Sequence, residues 1–102
     1  MTWYVYLIEC TDRSIYTGIA IDVDARYAAH ASGKGARYTR SHPPARLLAA
    51  FECVDRAAAL RAEHRIRQLS AQQKRQLCAG QTESAGAALL GAAHAIRIVE
   101  ER

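Results

Sequence analysis

The segment Trp3 to Glu9 (WYVYLIE) constrains the fold more than any other stretch, because it is rich in aromatic and β-branched residues and mostly apolar on both alternating faces. A strand of that pattern is buried on both sides and needs cover above and below it. Thr11-Asp12-Arg13-Ser14 turns the chain, and Ser14 to Gly18 resumes β character, so residues 3–18 are expected to form a hairpin that Gly18 ends.

Cover comes from segments with helical signals. Asp22 is placed to cap a helix from Val23 to about Ser32, with Asp24 in its first turn and Gly33 as its stop. Asp55 caps a second helix through about Leu69, and Ser70 with Gln73 resembles a capping box that opens a third helix to about Cys78. Ala45 to Val54 has strand length after Pro43 and Pro44, although its leucines and alanines keep helix in competition. The order β-β-α-β-α-α predicts a small α/β (α+β) domain over residues 1–78, with a mixed sheet of three strands flanked by helices. From Ala79 to Arg102 the chain turns rich in alanine and glycine. Leu89, Ala92, Ala93 and Ile96 fall there at helical spacing, which suits a helix for packing or for assembly with a protein partner or a second copy, and equally a loosely ordered tail.

At 102 residues, 50% hydrophobic and 24% charged, the chain has the balance of one soluble globular domain. No apolar run approaches the ~20 residues of a membrane span. The start lacks the basic region and small-residue cleavage site of a signal peptide, so a cytoplasmic protein is expected, with no membrane partner. Cys10, Cys53 and Cys78 have neither disulfide nor zinc spacing and read as buried thiols.

The net charge of +4 is uneven: residues 1–78 carry twelve Lys/Arg against seven Asp/Glu, and residues 79–102 carry two against three. Lys34, Arg37, Arg40 and Arg46 follow one another with no acidic residue between them, interleaved with glycine, tyrosine and proline. Such a basic loop suits a polyanion such as nucleic acid, or is simply a soluble loop.

Several polar residues fall where a core is expected. Glu63 lies on the apolar stripe of the second helix, four positions from Ala59 and three before Ile66. A carboxylate there protonates, pairs with an arginine, reaches water at the stripe's edge or holds a metal. Tyr4 and Tyr6 share a face of the first strand, and Tyr16 can face them from the return strand. Such tyrosines are either core residues or, beside a metal or guanidinium that lowers the phenol pKa from about 10, general bases. Arg26 and His30 share a helix face, and the arginine is either solvated or a fork for phosphate. Together they supply a base, a phosphate clamp and a metal carboxylate, which is what metal-assisted phosphodiester hydrolysis requires.

These residues resemble the GIY-YIG nucleases. Tyr4-Val5-Tyr6 looks like the first tripeptide of that family and Tyr16-Thr17-Gly18 like the second; Arg26 matches its helical arginine and Glu63 its metal-binding glutamate. The run from Arg26 to Arg40 is similar to the small stand-alone bacterial members and to the nuclease domain of the Slx structure-specific endonuclease subunit. The resemblance covers about residues 3–78. It implies an endonuclease with one divalent metal, Mg²⁺ or Mn²⁺, acting on nucleic acid, with DNA favoured and RNA left open; since no separate sequence-reading module is present, branched, flapped or single-stranded forms are the expected substrates. Tyr6 or Tyr16 would be the base with Tyr4 beside them, Arg26 the clamp, His30 an aid to the nucleophile and Glu63 the metal ligand. Lys34, Arg37, Tyr38, Thr39 and Arg40 would contact the backbone. The chain has no asparagine, which some members add to the site. A nucleic-acid-binding module with the nuclease fold and little cleavage of its own is the alternative.

Overall fold

A computed structural model describes residues 2–79 and 97–98. The doubly apolar segment is β1 (Trp3–Cys10), and it lies inside a sheet, antiparallel to β2 (Ile15–Ala20) on one side and to β3 (Pro44–Cys53) on the other. Between β2 and β3 the chain forms α1 (Val23–Ala31) and the short α2 (Arg37–Ser41); α3 (Arg56–Arg67) and α4 (Ala71–Cys78) follow β3. A two-residue strand, β4 (Arg97–Ile98), pairs antiparallel with β3, so the sheet order is β2-β1-β3-β4.

Alternation along β1 builds two cores. Val5 and Leu7 join Leu48, Ala49 and Phe51 of β3 under Ala58, Ala59, Ala62 and Ile66 of α3 and Leu77 of α4. Tyr6, Ile8 and Cys10 join Leu47 and Ala50 on the opposite face, with Val23 and Tyr27 of α1 packed on them. The β1–β3 register slips between Leu7 and Ile8, so Leu48 and its neighbour Ala49 enter the same core, as a β-bulge allows.

The expected α+β domain is present, with helices on both faces. The sheet is antiparallel throughout rather than mixed. A βαβ crossover normally leaves its two strands as parallel neighbours, and here β1 lies between β2 and β3. The caps are where the sequence puts them: Asp22 accepts from the Ala25 amide, Asp55 from the Ala58 amide, and Ser70 with Gln73 closes a reciprocal capping box. Gly18 does not end β2, which continues to Ala20, and the basic loop contains α2. The alternative of a helix over 45–54 is excluded by β3. The three cysteines are buried thiols. The tail helix expected around Leu89 to Ile96 lies outside the described residues, and Arg97 and Ile98 beyond it are strand.

Candidate active site

The site begins with a close approach inside the hairpin. Tyr6 pairs with Gly18 across β1 and β2. A Cβ at position 18 would stand 2.6 Å from the Tyr6 hydroxyl and 3.0 Å from Cε2 of Tyr16. The space a side chain would fill is therefore taken by the two phenols, which is the physical reason for glycine there. Their rings lie 6.3 Å apart, and His30 from α1 approaches Tyr16 edge-on at 5.1 Å. Tyr38 from α2 stacks on Tyr16 at 5.9 Å and is itself covered by His42 at 4.0 Å.

His30 is 1% exposed and hydrogen-bonded through both ring nitrogens: Nε2 lies 2.8 Å from the Tyr6 hydroxyl and Nδ1 2.6 Å from Oγ1 of Thr39. Two neighbours orient the protons. Thr39 gives its one hydroxyl proton to the Ala36 carbonyl at 3.0 Å, so it accepts from Nδ1–H. The Arg26 guanidinium beside the Tyr6 hydroxyl can only donate, which leaves the phenol to donate to Nε2. The Ala36 amide also approaches Nδ1, which favours the other tautomer, but at 3.4 Å it is the weaker contact. The assigned chain runs Tyr6 O–H to His30 Nε2, and His30 Nδ1–H to Thr39. Gly35 makes it possible, since a Cβ there would collide with the His30 ring.

Burial and the neighbouring Tyr16 push the Tyr6 phenol up to about 12, against the pull of Arg26. Burial, reinforced by the Arg26 charge, holds His30 below its ordinary 6.5. Both groups are neutral near pH 7. The phenol pKa thus rises instead of falling as the sequence reading required for a tyrosine base, because the ring is enclosed by the core below it.

Glu63 stands at the edge of the α3 stripe. It pairs with Arg67 one turn on at 3.2 Å, and Arg67 also donates to the Thr17 carbonyl of β2 at 3.1 Å. The carboxylate is near enough to Tyr6 for its charge to raise the phenol pKa. Among the described residues no three His, Cys, Asp or Glu side chains converge. Glu63 would be the residue to hold a divalent ion here, and a carboxylate oxygen suits a hard one.

The other sequence candidates divide. Tyr4 shares the face of Tyr6 but lines a separate cavity of about 510 Å³ with Ile21, Asp22 and Val23, and makes none of the ring contacts around His30. Lys34, Arg37 and Arg40 are exposed. Thr39 is 2% exposed, with its hydroxyl engaged by His30 and the Ala36 carbonyl. Arg46 leaves the basic patch because Glu9 binds it at 2.8 Å. His42 and Arg67 were not signalled by composition, although each stands four residues after the partner it meets, Tyr38 and Glu63.

Residues 2–76 match the family model described as the GIY-YIG catalytic domain. A UPF0213 protein of Cupriavidus necator is 54% identical to 76% of this chain, over 84% of its own length. The UPF0213 protein YhbQ of Escherichia coli is 47% identical, with 86% of this chain and 85% of the relative covered. The solution NMR structure of a UPF0213 protein from Bacillus halodurans is 47% identical, covers 78% of this chain and 84% of its own, and has a TM-score of 0.49.

Proposed function

The chain belongs to the GIY-YIG catalytic-domain family, a family of nucleases, and on that premise we propose that it is an endonuclease hydrolysing phosphodiester bonds in DNA with one divalent ion, Mg²⁺ or Mn²⁺. Branched, flapped or otherwise structured DNA is its expected substrate. The observation that carries this reading is the buried 2.8 Å bond from Tyr6 to His30 with Arg26 beside it: a proton acceptor and a phosphate-binding cation meet at one phenol.

A phenol with a pKa of about 12 is a poor source of free phenolate, but the chain of hydrogen bonds removes the need for one. As water attacks phosphorus and the bond from phosphorus to the departing oxygen breaks, the water's proton passes to the Tyr6 oxygen while the phenol proton passes to His30 Nε2, and the departing oxygen takes its proton from solvent. The imidazolium so formed keeps its Nδ1–H on Thr39. Arg26 offers its donor fork to the phosphate oxygens as charge grows on them. Glu63 would hold the divalent ion, which when bound supplies positive charge for the departing oxygen. Lys34, Arg37 and Arg40 would contact phosphates, which position a strand without reading its sequence. That is consistent with choice of substrate by structure.

The test is incubation of the protein with Mg²⁺ or Mn²⁺ and labelled branched, single-stranded and duplex DNA, with RNA versions alongside. Wild type should cut, and Arg26→Ala and Glu63→Gln should each lose about 100-fold or more. Cleavage retained by both variants would come from a contaminant and sink the reading. The Glu63–Arg67 pair, which occupies the carboxylate, favours a second reading, a nucleic-acid-binding domain that cuts little by itself. Salt-sensitive binding without metal-dependent cleavage would select it.

A further inference from the structure

The proton chain and clamp leave one adjoining cavity unused. It has a volume of about 260 Å³ and is lined by Ile15, Tyr16, Thr17, Tyr38, Arg67 and Lys74. β2 is an outer strand of the sheet, so the cavity runs along a sheet edge, between the ring stack of Tyr16 and Tyr38 on one side and the α3–α4 cations on the other.

Its charges are unbalanced. Arg67 is held in place by Glu63 and the Thr17 carbonyl. Lys74 is half-buried, and burial with the nearby Arg67 charge lowers its pKa. No hydrogen bond or ion pair engages its ammonium among the described residues. Two cations facing one recess repel each other, and a part-buried cation without a counter-ion is unfavourable. An anion in the recess would answer this imbalance.

We propose that this cavity is a subsite for a phosphate of the nucleic-acid strand beside the cleaved linkage, with Lys74 and Arg67 as its cations and the edges of Tyr16 and Tyr38 as the wall beside the attached sugar. The volume is below the range of about 300–1,000 Å³ usual for whole drug-sized ligands, and suits one part of a polymer. A guanidinium fork and an ammonium match phosphate oxygens, and the ring edges of Tyr16 and Tyr38, whose faces are taken up by each other and by His42, bound the space beside them. The position relative to the cut rests on the nuclease reading above; the phosphate contact itself does not.

The experiment titrates a fluorescein-labelled single-stranded DNA oligonucleotide into the full chain by anisotropy, in EDTA, across a range of NaCl. Lys74→Gln should lower the magnitude of the slope of log K against log salt by about 0.7, the loss of one phosphate contact on a single strand. Lys74→Arg should keep the slope, and so should Arg56→Gln, a control whose guanidinium lies over Trp3, 5.7 Å from the ring centroid. A wild-type slope in well-folded Lys74→Gln would overturn the proposal. So would an equal loss in Lys74→Arg, which implicates packing, or in Arg56→Gln, which implicates net charge. Competition by inorganic phosphate at constant ionic strength, with the slope unchanged in Lys74→Gln, would assign the cavity to a free anion and also overturn it. Wild type that cuts while Lys74→Gln keeps its slope sinks the subsite alone, and wild type that binds with the expected slopes but never cuts sinks the nuclease reading alone.

Discussion

Thr39 gives its only hydroxyl proton to the Ala36 carbonyl, and the oxygen that remains can do nothing but accept from His30. One hydroxyl thereby decides which nitrogen of a buried imidazole is free to take a proton from Tyr6. Thr39→Val keeps the shape and removes the acceptor, so kcat on a cleaved substrate should fall about 10- to 100-fold with KM little changed, and Thr39→Ser should restore it. If valine and wild type share one kcat, the hydroxyl is only packing. The pH dependence follows from the same histidine. Its folded pKa lies below 6.5, so between that folded value and 6.5 the unfolded chain binds the extra proton. The contribution of neutral His30 to stability is complete above 6.5 and is lost as pH falls through this window. The acid limb of kcat/KM should fall in the same window, and a pH–rate profile with that limb at or above 6.5 would contradict a buried neutral base. The sequence brought Tyr6, Tyr16, Arg26 and His30 together because strand alternation and helix spacing are local rules. It could not give Thr39 its partner, since a basic, glycine-containing segment looks like surface whether or not one side chain turns inward.

Glu9, near the end of β1, ties three elements. Its carboxylate meets Arg46 of β3 at 2.8 Å and Arg75 of α4 at 2.5 Å, and Arg75 reaches on to the carbonyl of Arg13 in the hairpin turn. Those two arginines hold the carboxyl below its usual 4.5, so this stabilisation is present above that value and is lost as pH falls through the lower, folded one. Glu9→Gln should cost about 1–2 kcal/mol, with the half-exposed Arg46 arm contributing less than the Arg75 arm. Urea denaturation reads this as a lowered midpoint at unchanged m-value; an unchanged midpoint would mean that both arms are solvated. Elements were legible where their signals are local. Asp22, Asp55 and the Ser70–Gln73 box satisfy amides within three residues, so the sequence carries them directly. Strand order was not legible, because pairing of β1 with β3 joins residues tens of positions apart, and the insertion of β1 between β2 and β3 leaves no local trace.

At the scale of the molecule, the positive charge divides into cations that are bound and cations that are not. Arg46 and Arg75 belong to Glu9 and Arg67 to Glu63, whereas Lys34, Arg37 and Arg40 are exposed around α2. Net charge alone cannot make that division. Arg37→Gln with Arg40→Gln should lower the salt slope of single-strand binding by about 1.4 and leave the unfolding midpoint near wild type. Arg46→Gln should do the reverse, lowering the midpoint with little change in slope; equal slope losses for the two changes would mean that the Glu9 pair opens on binding. The position of Tyr6 has a further consequence. It sits on the strand that is paired along both edges and covered on both faces. Partial openings of a protein begin at edges, turns and termini, and none of these releases the middle of β1, where Tyr6 is paired with Gly18 on one side and Ala50 on the other. Amide exchange at Tyr6 should therefore follow disruption of the whole sheet, and the Tyr6–His30 hydrogen bond lasts as long as the fold that holds it.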